Sequence, residues 1–361
     1  MKVGLHTGWL IGLVPLLVAG FLVESCRGGQ EQNVSAPLPN GDTVVVKVAV
    51  VYDDPVVKET GLRLHESCRL YNPHDQLPMM TGYMNEASHG VVRFEVALEI
   101  EADTTFSYYT ETRKPVSADD VYGFYRNRHY PQMGDGLSYD YAGMVKHYGF
   151  DKLRNEGTID EVWVYTHPSS GMFETCMAGP GAFWVNGDVF DVPTLEKKLT
   201  VLYCNYERTV DLAMHSYAHY FENVMTKVYG RCDYDQATEG DLNNWERFSS
   251  NNLKYDRYEK GAAHVGNCHF PANAVRDYDY ENTGYVMSYC DAWDFYPDLS
   301  ARPARQVNCS EWGNTQLGYM RWFYGHVPHF AGVNPADGHL NNWWYYLVDF
   351  DGAMAREKEQ Q

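Results

Sequence analysis

Hydrophobic positions along this chain fall into a few periodic segments separated by polar and glycine-rich stretches. Val44-Val45-Val46-Lys47-Val48-Ala49-Val50-Val51-Tyr52 is a β-branched run ended by Asp53-Asp54-Pro55, and it predicts a buried strand. Lys58 to Tyr71 and Leu77 to Ala87 read as helices, the second with Met80, Tyr83 and Met84 inward. Gly90 opens a strand through Ile100 that only partly alternates. A helix is expected near Tyr139 to Tyr148, and strands over Ile159–Tyr165 and Leu199–Cys204. Pro168 to Asn186, rich in Gly and small residues, reads as a loop. The clearest helix is about Glu207 to Val228, where Val210, Met214, Tyr217, Phe221 and Val224 form one apolar stripe at three- and four-residue spacing. Beyond it lies a loop-rich, aromatic C-terminal half. The pattern predicts one mixed α/β (α+β) domain over 43–355, without internal repeats.

Residues 1–25 stand apart. Lys2 precedes a nearly uncharged apolar run, Trp9 to Val23, that is interrupted by Pro15 and too short to span a bilayer comfortably. It reads as a signal peptide. Val23-Glu24-Ser25-Cys26 resembles a bacterial lipoprotein cleavage site, which implies a membrane tether through a lipid on Cys26. Ordinary cleavage near Ser25 is the alternative. Residues 26–42 read as a flexible stalk. The expected location is therefore the periplasm or cell envelope, as an outer-membrane lipoprotein, or otherwise the secreted fraction.

The chain has 361 residues with 48 acidic against 29 basic side chains, which excludes a phosphate-tracking, nucleic-acid-binding role. Eight cysteines in an exported chain permit disulfides without fixing their connectivity, and the absence of a CxxC pair argues against a zinc site made only of cysteines. Cys176, in a Gly-rich loop after His167, reads as structural rather than as a nucleophile.

The chemistry concentrates on the long helix. His215, His219 and Glu222 lie at i, i+4 and i+7 and project together from nearly the opposite side to the apolar stripe, with Arg208 and Asp211 a turn or two earlier. Two imidazoles one turn apart can bind one zinc ion, and a carboxylate can complete or orient the site. The ordinary alternative is a polar helix face that binds nothing.

A strand leading directly into a two-His helix is similar to the arrangement in zinc peptidases, where an edge strand lines the substrate cleft. Tyr285-Val286-Met287-Ser288-Tyr289 resembles the Met-turn of metzincin-like peptidases. Met84-Asn85-Glu86-Ala87-Ser88-His89-Gly90-Val91-Val92 resembles the helix-to-strand junction ahead of their active helix. The resemblance implies a zincin-like domain, a zinc cofactor, a protein or peptide substrate, and Met287 with Tyr289 supporting the site from below. The family motif HExxH is broken: His215-Ser216-Tyr217-Ala218-His219 puts Ser216 where the water-activating Glu belongs. Met225 stands at the family's third-ligand position and is a poor zinc ligand. Glu222 is then expected as third ligand or catalytic base, and His269, or His264, as a ligand from the loop Ala263 to Pro271. A pseudo-peptidase scaffold without catalysis is the corresponding alternative.

A different reading comes from the aromatic loops. Asp277, Asp279 and Asp291 lie beside Tyr and Trp, as a glycosidase, a glycan-binding surface or a Ca²⁺ site would require.

Overall fold

The computed structural model describes residues 43–131, 134–232, 242–252 and 262–360. The segments expected as a signal peptide (1–25) and a stalk (26–42), with the expected lipid site Cys26, lie outside these residues. Strand β1 (Val44–Tyr52) pairs in parallel with β2 (Val92–Glu101) on one side. A small hairpin follows, β3 (Ser107–Tyr109) with β4 (Leu137–Tyr139). On its other side β1 pairs in parallel with β5 (Glu161–Thr166). The sheet is completed by an antiparallel edge strand, β6 (Thr175–Ala178), against β7 (Leu199–Asn205), which is itself parallel to β5. The order is β2-β1-β5-β7-β6. The fold is mixed α/β with a mostly parallel sheet.

The nearly continuous apolar runs of β1, β5 and β7 follow from burial on both faces. Val46, Val48, Val50 and Tyr52 enter one core, while Ala49 and Val51 enter the other. The first core is closed by α2 (Pro73–Ala87) with the long helix described below, while α1 (Leu64–Cys68) puts Leu64 into a separate satellite cluster. Helix α3 (Ala118–Arg126) packs on α1 in a satellite cluster. Helices α4 (Tyr141–Tyr148) and α5 (Phe150–Asn155) supply Met144, Val145 and Phe150 to the second core.

The long helix α6 (Asp211–Tyr229) follows β7 after one turn and ends on Gly230 in the left-handed conformation. The apolar stripe expected from the sequence is buried against the sheet. Its polar side is buried as well, since His215 and Ser216 are only 2% and 4% exposed. The C-terminal half of the chain packs over that side. Trp343 and Trp344 are fully buried, so the most aromatic run of the sequence is core.

Two expectations need correction. The helix expected over Lys58 to Tyr71 is only α1. The segment expected as a loop over Pro168–Asn186 contains β6. That strand has four residues and no hydrophobic period of its own, so it exists by pairing with β7. Directly after it, Gly179 takes φ +95°, and a Cβ there would collide with the Lys197 carbonyl. No disulfide joins the described cysteines. Among the described residues no helix is long and apolar enough to cross a membrane.

Candidate metal centre

Two elements bring the site together. Helix α6 presents His215, His219 and Glu222 on one face. A loop following the short strand β8 (Ala262–Ala263) crosses that face and delivers Cys268 and His269. The loop is a tight turn. Gly266 takes φ +97°, and the Asn267 side-chain oxygen accepts the backbone N–H groups of His269 and Phe270 at 3.1 and 3.0 Å. Tyr319 donates its hydroxyl to the Asn267 carbonyl at 2.9 Å, and Tyr280 to the Cys268 carbonyl at 2.5 Å.

Glu222 joins the two elements. Its Oε1 accepts the Cys268 backbone N–H at 2.7 Å, and its Oε2 lies 3.2 Å from the Cys268 thiol and 3.4 Å from His219 Nδ1. With Nδ1 held from behind, the His219 Nε2 points forward. It stands 3.0 Å from His269 Nε2 and 3.4 Å from a Glu174 carboxylate oxygen. His269 is held in the same way, with Asp277 3.1 Å from its Nδ1. His215 completes the group, stacked on the His269 ring at 5.0 Å and edge-on to His219 at 4.7 Å. Its Nδ1 is buried and has no hydrogen-bond partner. The ligand-capable atoms of His215, His219, Cys268 and His269 all lie within 4.8 Å of one another.

Two ring nitrogens 3.0 Å apart must share a proton or a cation. Two imidazoles on one tetrahedral zinc at ~2.0–2.1 Å would have their nitrogens ~3.3 Å apart, so the observed spacing suits such an ion. A carboxylate behind each of two imidazoles is the usual outer support of a metal-binding histidine.

The electrostatics agree with this division of roles. Burial drives the His215 pKa well below its usual value, helped by the charges of His219, His269 and Arg208, and leaves a neutral ring with a free lone pair. Burial also works against a charged His219, but Glu222, Glu174 and Asp277 outweigh it and hold its pKa above the ordinary value. Burial would raise the Glu222 pKa, yet His219 and the Cys268 N–H hold it below the usual carboxylate range. Burial and the adjacent His219 lower His269. Burial, then Glu222, push the Cys268 thiol well up.

The group opens on a cleft of about 500 Å³ whose walls include Glu174, Arg208, Asp211, His215, Tyr278 and Gln316. Tyr278 holds its hydroxyl 3.1 Å from His269 Nε2. Its pKa is pushed up to about 12 by burial and the Asp277 charge, so the phenol keeps its proton at neutral pH. Glu174 immediately precedes β6 and takes a hydrogen bond from the Asn186 side chain. The outer edge of β6 is partly covered, since the Phe190 N–H donates to the Met177 carbonyl at 3.3 Å.

His215, His219, Glu222 and His269 therefore come together, with Glu222 behind His219. Met287 is placed otherwise. It is 39% exposed on strand β9 (Val286–Ser288), not buried beneath the imidazoles. Tyr289 stacks on His264 at 5.3 Å, and His264 pairs with the Trp293 indole through Nδ1 at 3.1 Å, so neither joins the cluster. Asp277, Asp279 and Asp291 do not form a shared ion site among the described residues. Asp277 supports His269. Asp279 accepts from the Val275 N–H, Arg276 and Asn282 and fixes its own loop. Asp291 is paired with an arginine elsewhere. Cys176 is buried with its thiol pushed up to about 12 by burial, which suits a structural residue.

Sequence reasoning did not single out Glu174, Cys268 or Tyr278 for this site. Glu174 lay in a segment expected as a loop. Cys268 is adjacent to His269, and Tyr278 to Asp277, so proximity in sequence was the available signal. Comparison with protein-family models, curated proteins and solved structures finds no match to this chain.

Proposed function

We propose that this chain is an exported zinc-dependent hydrolase of metallopeptidase-like design. His215, His219 and His269 are its metal ligands, and Glu174 replaces the missing helix glutamate as general base. The observation that carries the proposal is the meeting of three imidazoles, two backed by carboxylates, beside Glu174 at the wall of a cleft. The resemblance to zinc peptidases is supported by β7 leading directly into the two-His helix and by the antiparallel edge strand next to it.

A zinc ion held by the three imidazoles would supply Lewis acidity toward a carbonyl and lower the pKa of a bound water. Glu174 accepts the proton of the attacking water and passes it to the departing amine. The Tyr278 phenol donates a hydrogen bond to the oxyanion as it develops. Glu222 and Asp277 hold the imidazoles in orientation. The cleft admits a peptide segment rather than a folded strand, because the edge of β6 is partly occupied by residues near Phe190. Export and a tether at Cys26 belong to the same proposal and rest on residues 1–42 of the sequence.

The decisive experiment combines metal analysis with peptide hydrolysis. His219→Ala should lose one zinc per chain relative to the wild type and all amide hydrolysis of a mixed peptide library. Unchanged metal content in that variant rejects the assignment. A non-catalytic scaffold is the second reading, and Cys268 favours it: its thiol lies among the imidazoles and would close the site as a fourth ligand. In that case Cys268→Ser should weaken zinc binding sharply.

A further inference from the structure

The 3₁₀ turn Cys290–Phe295 follows β9, and His326 caps the C-terminal end of helix α8 (Gln316–Gly325), after α7 (Asn244–Phe248) in chain order. These segments meet at a second cluster: ligand-capable atoms of Cys290, Asp291 and His326 lie within 4.8 Å of one another. We propose that Cys290, Asp291 and His326 form a second zinc site, with Asp294 or water in the fourth position, that staples the turn after β9 to the end of α8.

The His326 ring shows which nitrogen is available. Its Nδ1 lies 2.7 Å from the Trp322 carbonyl oxygen. A carbonyl only accepts, so Nδ1 carries the proton and Nε2 keeps its lone pair. That tautomer, fixed by a backbone carbonyl, is the state a metal-binding histidine requires.

Asp291 is oriented by Arg305, whose Nε and terminal nitrogen reach its two oxygens at 2.6 and 2.9 Å. Arg305 is held in turn by Glu311 at 2.8 and 3.1 Å. The Cys290 thiol is fully buried and 3.4 Å from Asp291 Oδ1. A thiol, an imidazole and a carboxylate form the mixed donor set of a borderline-soft divalent ion, for which zinc is the natural occupant and calcium or magnesium is not. Binding would release the thiol proton to solvent as the sulfur becomes a ligand. Two carboxylates, Asp291 and the exposed Asp294, leave a path from water to the buried sulfur.

The test uses the full chain loaded with zinc or cobalt. Two zinc ions per wild-type chain are expected, falling to one in Cys290→Ser and in His326→Gln. With cobalt in a Cys268→Ser background, near-ultraviolet thiolate-to-metal absorption should persist, and adding Cys290→Ser should abolish it. Anomalous difference density in wild-type zinc-soaked crystals should lie between Cys290 Sγ and His326 Nε2, a readout that needs no variant. Wild-type zinc content in both variants, or no anomalous peak at that position, overturns the proposal. Loss of zinc in His219→Ala reports on the other centre alone, so the two assignments stand or fall separately.

Discussion

The Glu222 carboxylate accepts the backbone N–H of Cys268 at 2.7 Å, and this bond ties the loop bearing His269 to the helix bearing His219. The sequence placed Glu222 beside the two helix histidines and made it a ligand or base. Its oxygens are instead directed at the Cys268 N–H, the Cys268 thiol and the rear of the His219 ring. In the proposed zinc site it therefore acts through His219.

Glu222→Gln should therefore leave the fold intact and weaken zinc binding about 10–100-fold, as loss of an outer-shell carboxylate does. The amide can still accept the Cys268 N–H but cannot hold His219 by charge. Competition with a fluorescent zinc chelator measures the change. A complete loss of metal, equal to that of His219→Ala, would make Glu222 a direct ligand instead.

Glu174→Gln separates binding from catalysis. Glu174 lies 3.4 Å from His219 Nε2 on the open side of the cluster. Zinc content should be unchanged, while the rate of peptide hydrolysis falls by roughly 10²–10⁴-fold, the range lost with a general base. Full activity in this variant would return the role of base to another residue.

Buried Glu161 gives a pH signature of the fold. Its pKa is raised to about 7 by burial, although Trp163 at 2.9 Å and Tyr217 at 3.1 Å donate to it. A carboxyl with a raised folded pKa binds its proton more tightly in the folded state. Its contribution to stability is full below the unfolded value of 4.5 and is lost as pH rises through about 7. The span corresponds to roughly 3 kcal/mol. Glu161→Gln should remove this slope, so its stability relative to the wild type rises between pH 5 and pH 8. Urea unfolding at the two pH values measures the difference, and groups common to both proteins cancel.

Much of the fold was legible because it is periodic. The β-branched run ending at Tyr52, the strand ending in Cys204 and the stripe on α6 each follow from burial of one or both faces. The His215–His219 pair followed from helical spacing. What escaped is long-range. Thr175–Ala178 is a strand only because β7 offers it partners, so Glu174 carried no local signal. Helix α6 has a polar face that sequence alone assigns to solvent, and the 262–281 segment packed over it helps bury His215. Met287 shows the opposite error. A short motif suggested a buried position, and pairing between β9 and β10 (Arg305–Val307) turns its side chain outward.

The last prediction concerns the loop rather than its ligands. Gly266 sits at φ +97°, and a Cβ there would meet the Phe270 carbonyl and, at 2.9 Å, the Tyr319 hydroxyl. Tyr319 anchors this turn through the Asn267 carbonyl. Gly266→Ala must therefore strain the backbone and displace the anchor together, at a cost on the order of 1–3 kcal/mol for the backbone conformation alone. Val265, Cys268 and Tyr319 also belong to the core under α6, so the melting temperature should fall as well. Zinc affinity should fall further than in Tyr319→Phe, which removes only the hydrogen bond, because the turn sets the distance between His269 and His219. Calorimetry paired with zinc titration checks both effects, and wild-type zinc affinity in Gly266→Ala would mean that His269 is positioned by Asp277 rather than by the turn.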